Sequence, residues 1–277
     1  MLKRTITSVV LIVILAGLFF IGRFGIGAAV VLFTALGIWE LYNAVENKGV
    51  KPIKWTCVLF AIPVLLYVLL PDSNFFPISM YTIATIIFLV CIFSPKKHTF
   101  LDAIITLIAG VVVSNMFYTI MSIYNMGDTK IEATLLVVLL LLGTCVTDTS
   151  AYFVGVTIGK HKLAPEVSPQ KSIEGSIAGI IFVTAAVAIY GYYVLNRQIE
   201  AFSNFTIWIY ITLGLVCGII SQVGDLAASM LKRHYGVKDF GKIFPGHGGI
   251  LDRFDSFLFL APVIFYFIRV SMYLLEI

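Results

Sequence analysis

The sequence predicts an all-α, polytopic transmembrane helical protein of about nine spans with a cytoplasmic N-terminus, and three observations predict it. Of 277 residues, 60% are hydrophobic and 12% are charged, against roughly 45–50% and about 25% in an average soluble domain. Apolar runs long enough to cross a bilayer recur along the whole chain and give a mean hydropathy of +1.00, too much apolar surface for a water-soluble fold to bury. The lysines and arginines gather in alternate connections between those runs.

Windows of about 20 residues place spans near 5–22, 25–44, 55–70, 76–93, 100–123, 132–156, 174–195, 205–230 and 250–274. The basic start Met1-Leu2-Lys3-Arg4 resembles a signal peptide. Its apolar run, however, continues through Leu15-Ala16-Gly17 into Leu18-Phe19-Phe20-Ile21 with no small-residue cleavage site, so it reads as the first span. Only Arg23-Phe24 separate the first two spans, which therefore form a tight hairpin.

With alternating connections, one side receives Lys3, Arg4, Lys48, Lys51, Lys54, Lys96, Lys97, Lys160, Lys162, Lys171, Lys232, Arg233, Lys238, Lys242 and Arg253. The other receives only Arg23, Lys130, Arg197 and Arg269. The positive-inside rule makes the crowded side cytoplasmic. The net charge of +4 is spread over these connections, so no nucleic-acid partner is expected. Cys57, Cys91, Cys145 and Cys217 lie far apart inside apolar stretches and read as small core residues, neither disulfides nor zinc ligands.

Glu40 and Asp102, near span ends, are the ionisable exceptions in the spans of the first half. Later spans carry acids and bases within or beside them. Residues 1–130 are thus expected to be scaffold or oligomerisation helices. The chemistry is expected in residues 131–277, a transmembrane half with cytoplasmic loops at 158–173 and 231–249.

Asp148, flanked by Thr144, Thr147, Thr149 and Ser150, stands in an apolar run where an unpartnered carboxylate costs several kcal/mol. Ser221, Asp225, Ser229 and Lys232 recur at helical spacing on one stripe, bordered by Gly224, Ala227 and Ala228. The loop that follows, Lys232-Arg233-His234 through Gly246-His247-Gly248-Gly249, combines cations with glycines, a composition suited to anions. It leads into Asp252, Arg253, Asp255 and Ser256. A helix starting there puts Asp252, Asp255 and Ser256 on one face, and gathered carboxylates of this kind suit Mg²⁺. A second basic connection runs from Gly159 to Ser172 and includes Lys160, His161, Lys162 and Lys171. His161, His234 and His247 show no zinc spacing.

These residues resemble the signature of the phosphatidate cytidylyltransferase family, the CDP-diacylglycerol synthases. Ser229, Lys232-Arg233, Lys238-Asp239, Gly241, Phe244-Pro245, His247-Gly248-Gly249, Asp252-Arg253 and Asp255 meet it with every spacing kept. The likeness extends back through Gln222-Val223-Gly224-Asp225 and, more loosely, to Asp148-Thr149-Ser150-Ala151-Tyr152 and Ser168-Pro169-Gln170-Lys171-Ser172. It covers about the last 130 residues.

The resemblance implies transfer of the cytidylyl group of CTP to phosphatidic acid, giving CDP-diacylglycerol and pyrophosphate. The implied catalytic residues are Asp225, Asp252, Lys232, Arg233 and Asp255. Substrates would be bound by Ser168, Lys171, Ser172, Ser229, Lys238, Asp239, His247, Gly248, Gly249 and Arg253. Mg²⁺ would be held by Asp225 and Asp252, helped by Asp255 or Asp148, and a second cation, monovalent or divalent, is left open. The setting implied is a bacterial-type inner membrane, with a cytoplasmic site, membrane lipids around it and a homodimeric assembly.

Three rivals are weighed against this reading. A CTP-dependent polyprenol or phytol kinase needs a similar nucleotide mouth. An intramembrane aspartyl protease wants Gly-x-Gly-Asp, where this chain has Gln222 before Val223-Gly224-Asp225. An anion transporter could also use intramembrane charge.

Overall fold

The computed structural model describes residues 17–71, 73–246 and 248–275. Eight long helices are described: α1 Arg23–Glu46, α2 Thr56–Leu69, α3 Phe75–Phe93, α4 Phe100–Tyr124, α5 Lys130–Ile158, α6 Ile173–Tyr190, α7 Ile207–His234 and α8 Phe257–Leu274. A π-turn, Gly191–Leu195, and a final helical turn extend α6 to Gln198. Seven of the eight are long and apolar enough to cross a bilayer, and the protein is an all-α integral membrane protein. Most of the expected first span, 5–22, lies outside the described residues. The expected third span is the 14-residue α2, interrupted by Pro63.

The last span differs from expectation. Its helix begins at Phe257, not near residue 250, and 250–256 are turns. Asp252, Asp255 and Ser256 therefore do not share a helical face. One cause is the Asp252 carboxylate, which draws in the N–H groups of Phe240 and Gly249 at 2.8 and 2.9 Å, so the chain wraps around that side chain; another is Glu40 of α1, which takes the N–H groups of Ile250 and Leu251.

The chain divides into two compact units, Met1–Met121 with Lys232–Phe254 and Ser122–Leu231 with Asp255–Ile277. In the first, Tyr42 of α1 hydrogen-bonds Thr56 Oγ1 at 3.1 Å and donates to the Thr106 carbonyl at 3.0 Å. Asp102 accepts from the N–H groups of Lys51 and Thr99 at 2.6 and 2.7 Å, fixing the connection before α2 to the start of α4. Phe254 packs on Phe33 and Phe117, and Leu251 lies against Gly37. The end of the signature segment is thereby seated on α1 and α4. Helix α3 buries only Ile83 and Ile87 among its side chains, so its apolar surface is left for lipid or a partner.

The second unit is held by close helix approach at small residues, the usual means where lipid removes the hydrophobic drive between helices. A Cβ on Gly175 of α6 would lie 3.1 Å from the Gly155 Cα of α5. One on Gly214 or Gly218 of α7 would lie 2.6 or 2.8 Å from the Cα of Thr184 or Ile180. Thr129 caps α5 by accepting the Glu132 N–H at 3.2 Å, and Ser172 caps α6 by accepting the Gly175 N–H at 3.2 Å. Between these helices the basic connection folds into an antiparallel hairpin, β1 Lys162–Ala164 with β2 Ser168–Ser172.

Candidate active site

The second unit contains a cavity of about 630 Å³ lined by Asp148, Tyr152, Gly155, Lys162, Ser168, Gln170, Lys171, Ser172, Ser176, Gln222 and Asp225, among others. Its floor comes from α5, α6 and α7, and the hairpin covers one side. The hairpin turns at Ala164-Pro165-Glu166-Val167, where the Val167 N–H reaches the Ala164 carbonyl at 3.2 Å. Proline at the second position presets that turn. At its base, His161 Nδ1 meets Glu174 Oε1 at 2.7 Å and the Ile173 N–H bonds the His161 carbonyl at 2.9 Å.

This fold brings Lys171 into an ion pair with Asp225. Asp148 shares the cavity and accepts the hydroxyl of Ser256 at 3.1 Å. Gln222 donates to the carbonyls of Ser176 and Gly218 at 3.1 and 2.9 Å and also accepts from Ser176 Oγ. Both of its amide atoms are thus engaged, which fixes the wall beside Asp225. Ser172 lines the cavity while its oxygen caps α6. Ser168 lines the cavity at the start of β2.

In the first unit a second cavity, also about 630 Å³, is lined by Lys238, Asp239, Gly241, Lys242, Phe244, Pro245, Gly246, Gly248 and Arg253. Gly246 and Gly248 have φ of 79° and 82°, a region open chiefly to glycine. The Phe244 N–H closes this turn on the Gly248 carbonyl at 2.8 Å. Below it Asp252 is 6% exposed. Its Oδ2 accepts the N–H groups of Phe240, Gly249 and, at 3.4 Å, Gly241, while Oδ1 takes the Lys232 ammonium at 3.1 Å.

Lys232 and Arg233 stand on the last turn of α7, not in the loop, and Arg233 is exposed. Ser229 is half-buried on the same helix. Asp255 Oδ1 accepts the Ser256 N–H at 2.9 Å. His247 lies outside the described residues.

Among the described residues, no three His, Cys, Asp or Glu side chains form a metal-holding group. The donors that face the cavity of the second unit, Asp148 and Asp225, are hard oxygens. They fit a magnesium ion that keeps waters and substrate phosphate as its other ligands. Sequence reasoning passed over Glu40, Gln170, Ser176 and Gln222 as site residues. For Glu40 the signal available was an acid in an otherwise apolar helix.

The chain matches the cytidylyltransferase family over residues 2–271. It is 34% identical over 269 residues to a phosphatidate cytidylyltransferase of Staphylococcus haemolyticus (strain JCSC1435), covering 94% of this chain and 96% of that one. It is 30% identical over 267 residues to a protein of that name from Staphylococcus saprophyticus, with the same coverage. To a third, from Staphylococcus aureus (strain COL), it is 37% identical over 188 residues, 67% of this chain and 66% of that one.

Proposed function

We propose, from the premise that this chain belongs to the cytidylyltransferase family, that the cavity of the second unit, between α5, α6, α7 and the hairpin, is where its nucleotide reacts. The protein is a phosphatidate cytidylyltransferase, transferring the cytidylyl group of CTP to phosphatidic acid and releasing pyrophosphate. The observation that carries the site assignment is the meeting of Lys171, Asp225 and Asp148 in one cavity among apolar helices.

A phosphate oxygen of the lipid attacks the α-phosphorus of CTP, and the bond to the β-phosphate breaks. The lipid phosphate already carries its nucleophile, so the protein's task is positioning and charge neutralisation. Asp148 and Asp225 would hold Mg²⁺, with Asp252 and Asp255 as the other acids in the signature. The ion supplies charge neutralisation at the phosphates. Lys171 would contact a phosphate oxygen, and Ser168 and Gln170 would contact the nucleotide. In the first unit, Lys238, Lys242 and Arg253 line a cavity of their own and would bind a phosphate group there.

The excess of basic residues in alternate connections supports a cytoplasmic N-terminus and a site facing the cytoplasm of a bacterial-type inner membrane. The thinly buried α3 supports a homodimer. Purified protein given CTP, Mg²⁺ and phosphatidic acid should release pyrophosphate and form CDP-lipid. Release of CDP with a phosphorylated alcohol in an alcohol-supplemented assay, and no CDP-lipid, would point to a kinase.

A further inference from the structure

Glu40 sits two turns before the end of α1 and is 3% exposed. Its Oε1 accepts the Ile250 N–H at 3.0 Å and its Oε2 accepts the Leu251 N–H at 3.0 Å. Each oxygen meets one donor, an arrangement that suits an ionised carboxylate. Gly241 and Gly249 lie against the same carboxylate so closely that a Cβ on either would fall onto it. Neither glycine has a positive φ, so the backbone there does not require glycine, whereas Glu40 does.

Together with Asp252, which collects the N–H groups of Phe240, Gly241 and Gly249, Glu40 completes a pair of buried acids. Between them they hold five backbone donors of one loop. Gly241 rests on Glu40 and also lines the cavity that bears Lys238, Lys242 and Arg253.

We propose that Glu40 is a positioning residue for the reaction: it tethers the basic loop 238–253 from α1, so that the loop's cations keep the spacing a phosphate group needs. The inference rests on the reading of that loop as phosphate-handling. Helix α1 thereby takes part in substrate binding through a residue that touches no substrate, and Gly241 and Gly249 within the loop admit its side chain.

The test is Glu40→Gln in the full-length protein, purified in detergent. The amide leaves one of the two N–H groups facing an NH₂. We expect trypsin cleavage at Lys238, Lys242 and Arg253, all exposed, to rise about tenfold relative to cleavage at Lys160 and Lys162 in the hairpin. The kcat/KM for CDP-lipid formation should fall about ten- to a hundredfold, with the larger share in the KM of a phosphate-bearing substrate. Glu40→Asp, which keeps the charge, should recover part of both effects.

Should Glu40→Gln not fold, Gly249→Ala crowds the same carboxylate and should give the same two readouts. Adding it to Glu40→Ala should then cost little more than Glu40→Ala alone. Unchanged loop cleavage in Glu40→Gln overturns the tether, as does equal acceleration at the hairpin, which marks general loosening. Faster loop cleavage with wild-type kinetics overturns Glu40's part in the reaction. If wild type makes no CDP-lipid, the functional reading fails while proteolysis still decides the tether.

Discussion

Lys171, on the second strand of the hairpin, is ion-paired with Asp225 on α7. With both side chains about a quarter exposed, the pair gains little stability by itself. Its interest is that each partner is also suited to a ligand, the acid to a metal ion and the ammonium to phosphate.

Replacing the acid and the base should therefore have different signatures. Asp225→Asn should lower kcat at least about a hundredfold at saturating CTP, and raising Mg²⁺ should recover little. Lys171→Gln should mainly raise the KM for CTP, by about ten- to a hundredfold, the loss of one charge-assisted hydrogen bond of about 1.5–3 kcal/mol. Steady-state kinetics with varied CTP and Mg²⁺ distinguish the two.

Asp252→Asn should damage structure as well as activity. An amide has one acceptor oxygen where the carboxylate serves Lys232 on one side and three N–H groups on the other. We expect a loss of about 1–3 kcal/mol, read as a lower midpoint of thermal inactivation. Asp225→Asn should leave that midpoint nearly unchanged, because no backbone N–H group depends on it among the described bonds.

Gly175→Leu should prevent assembly of the second unit. A Cβ there already meets the backbone of α5 at Gly155, and a larger side chain forces the two helices apart. Size-exclusion chromatography should show aggregate where wild type gives a single peak.

His161→Ala should be mild. His161 is exposed, and solvent screens a pair of this kind so that it adds little. Activity should stay within about twofold of wild type, since Ile173 and His161 still bond through their backbones. A tenfold loss would assign the hairpin base a direct part in binding.

Chelation supplies the metal test. EDTA should abolish CDP-lipid formation and added Mg²⁺ restore it, while Asp148→Asn should raise the Mg²⁺ concentration for half-maximal rate.

The helices were legible in the sequence because in a bilayer the chain must satisfy its backbone within each segment, so apolar length alone locates them. The acids and bases of the cavity in the second unit were legible too, since a charge in an apolar run asks for a partner. Hydropathy was blind to the start of the last helix: Ile250 and Leu251 are as apolar as Phe257, yet their N–H groups belong to Glu40. A bond spanning 210 residues leaves no mark in a local window. The hairpin did leave one, Pro165 at a turn position, but it was hidden among the lysines that make the segment read as an ordinary basic connection.

Helix α2 has a consequence for the membrane itself. At 1.5 Å per residue its 14 residues rise only about 21 Å, short of a hydrocarbon layer of about 30 Å. Arg23 donates to the Val68 carbonyl at 2.7 Å near its far end, so that terminus already has a charged companion. Lipid beside this helix must pinch inward or let water reach its ends, which gives the enzyme a preferred bilayer thickness. Its turnover in vesicles should then vary with the acyl length of the bulk lipid, even when the phosphatidic acid supplied is the same.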